Sequence, residues 1–270
     1  MKRASFDQRA ASLAAQRGRL CVGLDPHESL VRSWGLDYDV SGIEKLARDT
    51  IAALGDQVMI FKPQSALFEV FGSRGIAALA RVLADVRAAG ALSILDVKRG
   101  DIGSTMAAYA RAYLSDDAEL VADAITLSPY LGFESLRPAI DLAHANGRGV
   151  FVLCHTSNPE GAEVQFALHQ GTTVAQQVVD AAQRENFSSG QNNIGLVIGA
   201  THDSAGVDLS AYSGWILAPG IGAQGGTMAG LQAIFGERAD HVLPSSSRGI
   251  LSAGPSPEAL RASVSSLISR

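Results

Sequence analysis

Short apolar runs alternate with longer amphipathic stretches along most of the 270-residue chain. Each run has four to six residues and ends near a turn-forming or charged residue, which is the pattern of a buried parallel strand. Apolar positions at helical spacing lie between most of these runs and predict helices that cover a sheet. The pattern predicts eight strands, at residues 20–24, 58–61, 92–95, 122–127, 149–154, 194–199, 214–218 and 241–244.

The predicted helices complete a repeating strand–helix order. Ser41 followed by Glu44 has the form of a capping box, and Ser104 or Thr105 is a suitable cap for the helix after the third strand. Because no linker or change of composition divides the chain, the order favours an α/β fold, a single (β/α)8 TIM barrel over residues 1–270, rather than two doubly wound domains. The helices are predicted at residues 5–17, 41–54, 75–89, 102–114, 134–146, 172–185 and 257–268.

Composition and charge narrow the class of protein. A net charge of -5 without any basic run argues against a nucleic-acid groove or an anionic membrane surface as a partner. Cys21 and Cys154 lie in apolar runs and are expected to be buried free thiols, which suits a reducing cytoplasm. The N-terminal residues lack the apolar stretch of a secretory signal, and no apolar run reaches the ~18 residues that a membrane span needs. We therefore expect a soluble, cytoplasmic protein.

The third predicted strand leads into a cluster of charges. Asp96 and Lys98 follow the apolar residues 92–95, and they point to the same side because strand side chains alternate. A surface salt-bridge cluster is the simpler interpretation, but charges directly after a buried strand favour a functional site. With Asp101 also nearby, Lys98 should stay protonated, which makes it a poor Schiff-base nucleophile and a well-held proton donor.

Other candidate residues also follow predicted strands, where barrel enzymes place their sites. The glycine-rich residues 219–226, PGIGAQGG, offer backbone N–H groups to a phosphate, and Arg248 after the last strand offers a charge-assisted contact. Taken alone, the glycine-rich segment could be a flexible turn and Arg248 a solvated surface side chain. Together they predict a phosphate site. The polar residues 155–171 are a candidate lid over a ligand. No zinc-ligand spacing links the scattered histidines, among them His27, His155 and His202.

Taken together, these motifs resemble one known family. DVKRGDIGST at residues 96–105, with FKP, LSPY, PGIGAQGG and a late SRG in the same order, is similar to the orotidine 5′-phosphate decarboxylases, above all to their longer bacterial branch of about this length. The resemblance implies decarboxylation of orotidine 5′-monophosphate to uridine 5′-monophosphate in de novo pyrimidine biosynthesis, without a metal or organic cofactor.

The resemblance also implies a role for each matching residue. Lys98 would protonate C6 of the pyrimidine as carbon dioxide leaves, Asp96 would lie against the substrate carboxylate, and Lys62 would hold the charges in place and contact the ribose. Asp25 would bind the ribose hydroxyls, and Ser128, with Pro129 beside it, would contact the pyrimidine edge. The phosphate would be bound by Gln224, Gly225, Gly226 and Arg248. Asp101 and Thr105 would reach into the partner's site in a homodimer.

Three other functions remain open from the residues. A metal-dependent sugar-phosphate lyase of the same barrel superfamily shares the D-x-K-x-x-D pattern, although Lys62 would be unusual beside a divalent cation. A Schiff-base aldolase is less well supported, because anions flank Lys98. The non-enzymatic alternative is a nucleotide-binding regulatory barrel that has kept the site but lost its chemistry.

Overall fold

The computed structural model describes residues 3–222 and 225–268. Within these residues, eight parallel strands close into a barrel in the order β1-β10-β9-β8-β5-β4-β3-β2, and two short antiparallel strands form a separate hairpin. This confirms the predicted (β/α)8 barrel. The strands are β1 (Cys21–Leu24), β2 (Ile60–Pro63), β3 (Leu92–Arg99), β4 (Ala124–Leu127), β5 (Gly149–His155), β6 (Leu168–His169), β7 (Thr172–Thr173), β8 (Ile194–Ile198), β9 (Ile216–Pro219) and β10 (Val242–Ser246).

Helices cover the outside of the barrel, and short 3-10 segments lie at Phe133–Leu136, Pro159–Gly161 and Gly236–His241. None of the helices in the described part of the chain is long and apolar enough to cross a membrane. The α-helices are α1 (Phe6–Arg17), α2 (Glu28–Ser33), α3 (Val40–Leu54), α4 (Ala66–Glu69), α5 (Gly72–Ala88), α6 (Gly103–Leu114), α7 (Arg137–Ala145), α8 (Ala162–Gln165), α9 (Val174–Ser189), α10 (Met228–Phe235), α11 (Arg248–Leu251) and α12 (Pro257–Ile268).

The first helix closes the amino-terminal end of the barrel. Phe6 of α1 packs edge-to-face on Phe151 inside the barrel, with ring centroids 5.7 Å apart. Trp215 Nε1 donates a hydrogen bond of 2.9 Å to Asp7 Oδ1 on the same helix. Because the strands are parallel, all their carboxyl ends meet at the opposite rim, and that rim is the end left open for a site.

The candidate lid, residues 155–171, differs from the long polar loop that its sequence predicts. Residues 155–171 are not a plain loop, because they contain the 3-10 segment Pro159–Gly161, helix α8 and the strand β6 of the hairpin. Short elements of this kind hold a segment in one shape by their own hydrogen bonds, as in other compact functional loops. The candidate lid therefore has internal structure.

Two predicted helix caps are wrong. Asp39, and not Ser41, caps α3, because its carboxylate accepts the N–H of Gly42 at 2.9 Å. The helix therefore begins at Val40, and the expected capping box does not form. Helix α6 begins at Gly103 after Ile102, which makes no side-chain capping bond, so neither Ser104 nor Thr105 is its cap. Residues with similar capping potential lie close together here, and tertiary packing selects the start of each helix.

We expect Asp39→Ala to lower the free energy of unfolding by about 1 kcal/mol, because the N–H of Gly42 loses its acceptor and the start of α3 loses a nearby negative charge. The matched control is Ser41→Ala, which should change stability by less than about 0.5 kcal/mol. Urea denaturation monitored by circular dichroism measures both values. Equal losses in the two variants would contradict the observed cap.

Candidate active site

The carboxylate of Asp96 lies between two lysine ammonium groups at the open rim. Lys62 Nζ is 3.0 Å from Asp96 Oδ2, and Lys98 Nζ is 2.7 Å from Asp96 Oδ1. The side chains of Lys62 and Asp96 are 6% and 8% exposed, whereas that of Lys98 is 46% exposed. We call these three residues the lysine–aspartate array. Its buried members neutralise each other, and Lys98 is the member that is open to a ligand.

Two uncharged side chains complete the hydrogen bonding of the array. Thr126 Oγ1 on β4 donates to Asp96 Oδ1 at 2.8 Å, and Gln64 Nε2 donates to Asp96 Oδ2 at 3.0 Å. Neither residue belongs to the motifs that the sequence singles out. Gln64 has a detectable signal, since it lies two residues after Lys62 on the same strand face. Thr126 has none, because it lies inside an apolar run where threonine is a common strand residue.

The array holds its charges by mutual attraction. Burial alone would raise the pKa of Asp96, but the ammonium groups of Lys62 and Lys98 outweigh it and hold that pKa well below its usual range. Burial alone would lower the pKa of Lys62, but the carboxylates of Asp25 and Asp96 raise it above its ordinary value. Asp96 is therefore an anion and Lys62 a cation at neutral pH.

Lys98 has an unusual backbone conformation. Its φ of 45° lies in the left-handed region, which costs an L residue roughly 1–2 kcal/mol. Its N–H donates to Thr126 Oγ1 at 3.0 Å instead of continuing the strand ladder. A strained residue with an exposed ammonium group at a strand end is characteristic of functional sites.

A cavity of about 630 Å³ opens beside the array and has the size of a small-molecule site. Ser128 and Pro129, which follow β4, line this cavity, and Leu153 contributes to its apolar wall. Thr156 and Ser157 of the lid segment also line it, and sequence analysis did not single out either. The cavity combines an apolar wall with a few converging polar groups.

A second cavity of about 120 Å³ also borders Asp25 and Lys62, and Arg248 is among its lining residues. Asp25 Oδ1 is 3.9 Å from Lys62 Nζ. Asp25 Oδ1 and Ser247 Oγ are both buried without a hydrogen-bond partner in the described chain. Buried polar atoms normally have such partners. These two are therefore placed to bind a polar ligand.

The glycine-rich loop after β9 is partly hydrogen-bonded to itself. The N–H of Gly225 donates to the carbonyl of Gly222 at 2.9 Å, and that of Gly226 donates to Gly220 at 3.0 Å. Gly225 and Gly226 line a neighbouring cavity and not the one that contains the arginine. The bare amides expected at these two glycines are thus already paired in this arrangement. Gln224 lies outside the described residues.

Asp101 and Thr105 line neither cavity of their own chain. Asp101 Oδ1 accepts the N–H of Ile102 at 2.8 Å, and Asp101 forms no ion pair with any residue that the structure describes. The expected proximity of Lys98 and Asp101 therefore does not produce an ion pair within one chain.

Two stacked histidines join the lid to the loop after β8. The rings of His155 and His202 are 3.7 Å apart at an angle of 12°, and Phe166 of the lid packs edge-on against His155 at 4.8 Å. His155 Nδ1 is 2.9 Å from the carbonyl of Ala205. Burial lowers the pKa of His155, and the neighbouring His202 adds to this. Both rings therefore contribute to the packing between these two segments.

The described part of the chain shows neither a reactive cysteine nor a metal-binding group near the array. Cys21 and Cys154 are buried free thiols, as predicted, and burial raises the pKa of each to about 12. Neither thiol is a nucleophile at neutral pH. In the ranges 3–222 and 225–268, no group of three or more His, Cys, Asp or Glu side chains is placed to hold a metal ion.

These features define a class of protein. It is a parallel β/α barrel enzyme whose open rim joins a lysine–aspartate array to an arginine-lined cavity, a combination suited to a phosphorylated small molecule. The chain belongs to the orotidine 5′-phosphate decarboxylase / HUMPS family, whose model matches residues 18–263.

Individual relatives are similar over nearly their whole length. A protein of Salinispora arenicola named orotidine 5′-phosphate decarboxylase is 53% identical over 260 residues, which cover 96% of this chain and 94% of the relative. A protein of Streptomyces coelicolor with the same name is 50% identical, and the match covers 95% of this chain and 93% of the relative. A crystal structure from Streptomyces avermitilis superposes with a TM-score of 0.93 at 49% identity, covering 99% of this chain and 94% of that one.

We expect Asp96→Asn to lower the free energy of unfolding by about 3 kcal/mol at neutral pH, because two lysines lose their shared anion. The folded-state pKa of Asp96 is lowered from 3.8, so its contribution is complete above pH 5 and is lost as the pH falls below about 4. Urea denaturation from pH 3 to 8 measures the difference between the two proteins.

The control for this series is Asp117→Asn, which removes an exposed surface carboxylate. It should change stability by less than about 0.5 kcal/mol at every pH. A difference between wild type and Asp96→Asn that stays constant down to pH 3 would contradict the ionised state of the array.

Proposed function

We propose that this protein converts orotidine 5′-monophosphate to uridine 5′-monophosphate and carbon dioxide, a step of de novo pyrimidine biosynthesis. The observation that supports this most directly is the carboxylate of Asp96 held against the Lys98 ammonium group at the wall of a cavity of about 630 Å³. The relatives at 50% and 53% identity have this activity in their names.

The reaction breaks the bond between C6 of the pyrimidine and its carboxylate carbon. The electron pair of that bond stays on C6 as carbon dioxide leaves, and Lys98 transfers a proton to C6. Before that transfer, the ammonium group stabilises the negative charge that develops at C6, because it is already fixed in place by Asp96. A proton from water then restores the ammonium form of Lys98.

The two buried members of the array prepare this chemistry. Asp96 lies beside the departing carboxylate, and its negative charge favours loss of that group as neutral carbon dioxide. Lys62 keeps Asp96 in its ionised form and contacts the ribose. Because both residues are almost completely buried, water competes little with these interactions.

The nucleoside part of the substrate occupies the larger cavity. The unpaired Oδ1 of Asp25 accepts a hydrogen bond from a ribose hydroxyl. Ser128, with Pro129 beside it, contacts the pyrimidine edge, and Thr156 and Ser157 supply polar atoms on the opposite, lid side of the same cavity. Each assignment matches a side chain to a group of complementary hydrogen-bonding character.

The phosphate occupies the smaller cavity. Arg248 binds it through charge-assisted hydrogen bonds. Gln224, Gly225 and Gly226 form the closing side of this site, where phosphate oxygens replace the loop's own hydrogen bonds. Phosphate binding far from C6 drives the closing of residues 155–171, so its free energy lowers the barrier rather than only tightening substrate binding.

A second copy of the chain completes the site. We place Asp101 and Thr105 in the partner's active site in a homodimer, since neither lines the larger or the smaller of the two cavities beside the array. Ile102, Tyr130 and Leu131 lie in the loops of the same rim and are 62%, 77% and 52% exposed. Large apolar side chains exposed together are suited to burial against another protein surface.

The reaction needs no cofactor in this proposal. Both oxygens of Asp96 accept hydrogen bonds from lysine, so a divalent cation would have to displace Lys62 or Lys98 before it could bind there. This favours the decarboxylase over a metal-dependent sugar-phosphate lyase.

We further propose one catalytic barrel domain over residues 1–270 that works in the cytoplasm, where the two free thiols stay reduced.

We expect Lys98→Ala to lower turnover by more than about 10³-fold, because the proton donor and the charge that stabilises C6 are both lost. Binding of uridine 5′-monophosphate should remain measurable by calorimetry. Lys45→Ala is the control, since Lys45 is an exposed lysine on α3, and it should leave turnover unchanged. The decrease in substrate absorbance is followed with and without a chelator.

Near-normal turnover in Lys98→Ala would contradict the assignment of the proton donor. Activity that disappears with the chelator would move the protein to the metal-dependent lyases. Product binding without any turnover by the wild-type protein would leave a nucleotide-binding barrel that has lost its chemistry.

The homodimer can be tested by mixing two inactive variants. If Asp101 acts in the partner's site, a heterodimer of Lys98→Ala and Asp101→Ala subunits has one site with both residues intact and one with neither. Random subunit exchange makes half of the dimers mixed, so we expect about a quarter of wild-type activity to return. No recovery after exchange, verified by differently tagged subunits, would place Asp101 in its own chain's site.

A further inference from the structure

Thr126 occupies the point where strand β3 loses its regular pairing with β4. Leu95 pairs with Ile125 and Arg99 pairs with Leu127, so three residues of β3 lie opposite Thr126 alone. A bulge of this kind leaves backbone groups without their usual partners and redirects side chains. Here the bulge redirects the chain between the two charged residues of β3 that the proposed reaction uses.

One hydroxyl group fills the gap in this pairing. Thr126 is 1% exposed, and its Oγ1 accepts the backbone N–H of Lys98 at 3.0 Å. The same oxygen is 2.8 Å from Asp96 Oδ1 and donates its hydrogen to that carboxylate. A carboxylate only accepts and an amide N–H only donates, so the direction of both bonds is determined.

The two bonds act on different parts of the array. The bond to Asp96 fixes the carboxylate oxygen that also accepts from the Lys98 ammonium group at 2.7 Å. The bond from the Lys98 N–H supports a backbone with a φ of 45°, a conformation that persists only where its surroundings impose it. Thr126 is therefore hydrogen-bonded to both partners of the Lys98–Asp96 contact.

We propose that Thr126 is a positioning residue for the decarboxylation, which holds Asp96 and the backbone of Lys98 in their reactive arrangement through its single hydroxyl group. This inference rests on the proposed function. Without the hydroxyl, Lys98 relaxes from its left-handed conformation and its ammonium group moves relative to C6. A displacement of about 1 Å at a reacting group costs about 100-fold in rate.

The test compares three substitutions. Thr126→Val keeps the shape of the side chain and removes the hydroxyl, and we expect kcat to fall about 100-fold. KM and the affinity for uridine 5′-monophosphate should change by less than about threefold, because the ribose and phosphate contacts lie elsewhere in the site. Thr126→Ser keeps both hydrogen bonds and should restore kcat to within about tenfold of wild type. Thr126→Ala repeats the loss of the hydroxyl in case the valine variant does not fold.

A matched control separates positioning from stability. Thr50 on α3 is also fully buried, and its hydroxyl donates to the carbonyl of Leu46 at 2.7 Å, far from the array. Thr50→Val should lower the denaturation midpoint by an amount comparable to Thr126→Val but leave kcat unchanged.

Each outcome has a distinct meaning. Wild-type kcat in Thr126→Val or Thr126→Ala, or an equal loss of kcat in the serine variant, would overturn the positioning role while the decarboxylase activity stands. Equal losses of kcat in Thr126→Val and Thr50→Val would show that the loss of kcat comes from lower stability, and would also overturn the positioning role. A wild-type protein that does not decarboxylate the substrate would overturn the proposed function, and the role of Thr126 with it.

Discussion

The active site depends on a single buried carboxylate whose charge is balanced from both sides. The Asp96 side chain is 8% exposed, and burial alone would favour its neutral form. The ammonium groups of Lys62 and Lys98 reverse that preference, and the hydrogen bond from Thr126 occupies a further acceptor position on the carboxylate. Removing Asp96 leaves the buried Lys62 ammonium group without its closest anion, which is costly. The charged forms of Asp96 and Lys62 therefore depend on each other.

The barrel makes this unit possible. Lys62 and Asp96 are 34 residues apart and Asp96 and Thr126 are 30 residues apart, yet they lie on the adjacent parallel strands β2, β3 and β4. Parallel strands bring their carboxyl ends to one rim. Helix α1 closes the other end, where Phe6 packs into the apolar cluster inside the barrel, so the rim at the carboxyl ends is the one left open to a ligand. The fold thus separates the part that provides stability from the part that performs chemistry.

The two ends of the site differ in how completely they are formed. Around Asp96 the hydrogen bonds are already made, as expected where charges must be in place before the reaction begins. Toward Arg248, by contrast, Asp25 Oδ1 and Ser247 Oγ lack partners and the glycine-rich loop is bonded to itself. The binding end therefore has hydrogen bonds to gain from a ligand. In the proposed function, that gain is the free energy that closes the lid over a prepared reaction centre.

Local patterns in the sequence determined the barrel and much of its chemistry. Strand and helix periods are properties of neighbouring residues, and strand alternation predicts that Asp96 and Lys98 lie on one side, where the structure joins them in an ion pair. Only the tertiary structure decided that Asp39 caps α3, because several nearby residues could do so and packing selects one. It also decided the role of Thr126, whose importance comes from a bulge in the strand opposite. A hydroxyl inside an apolar run acquires its function from a partner 28 or 30 residues away, and no pattern of adjacent residues encodes that contact.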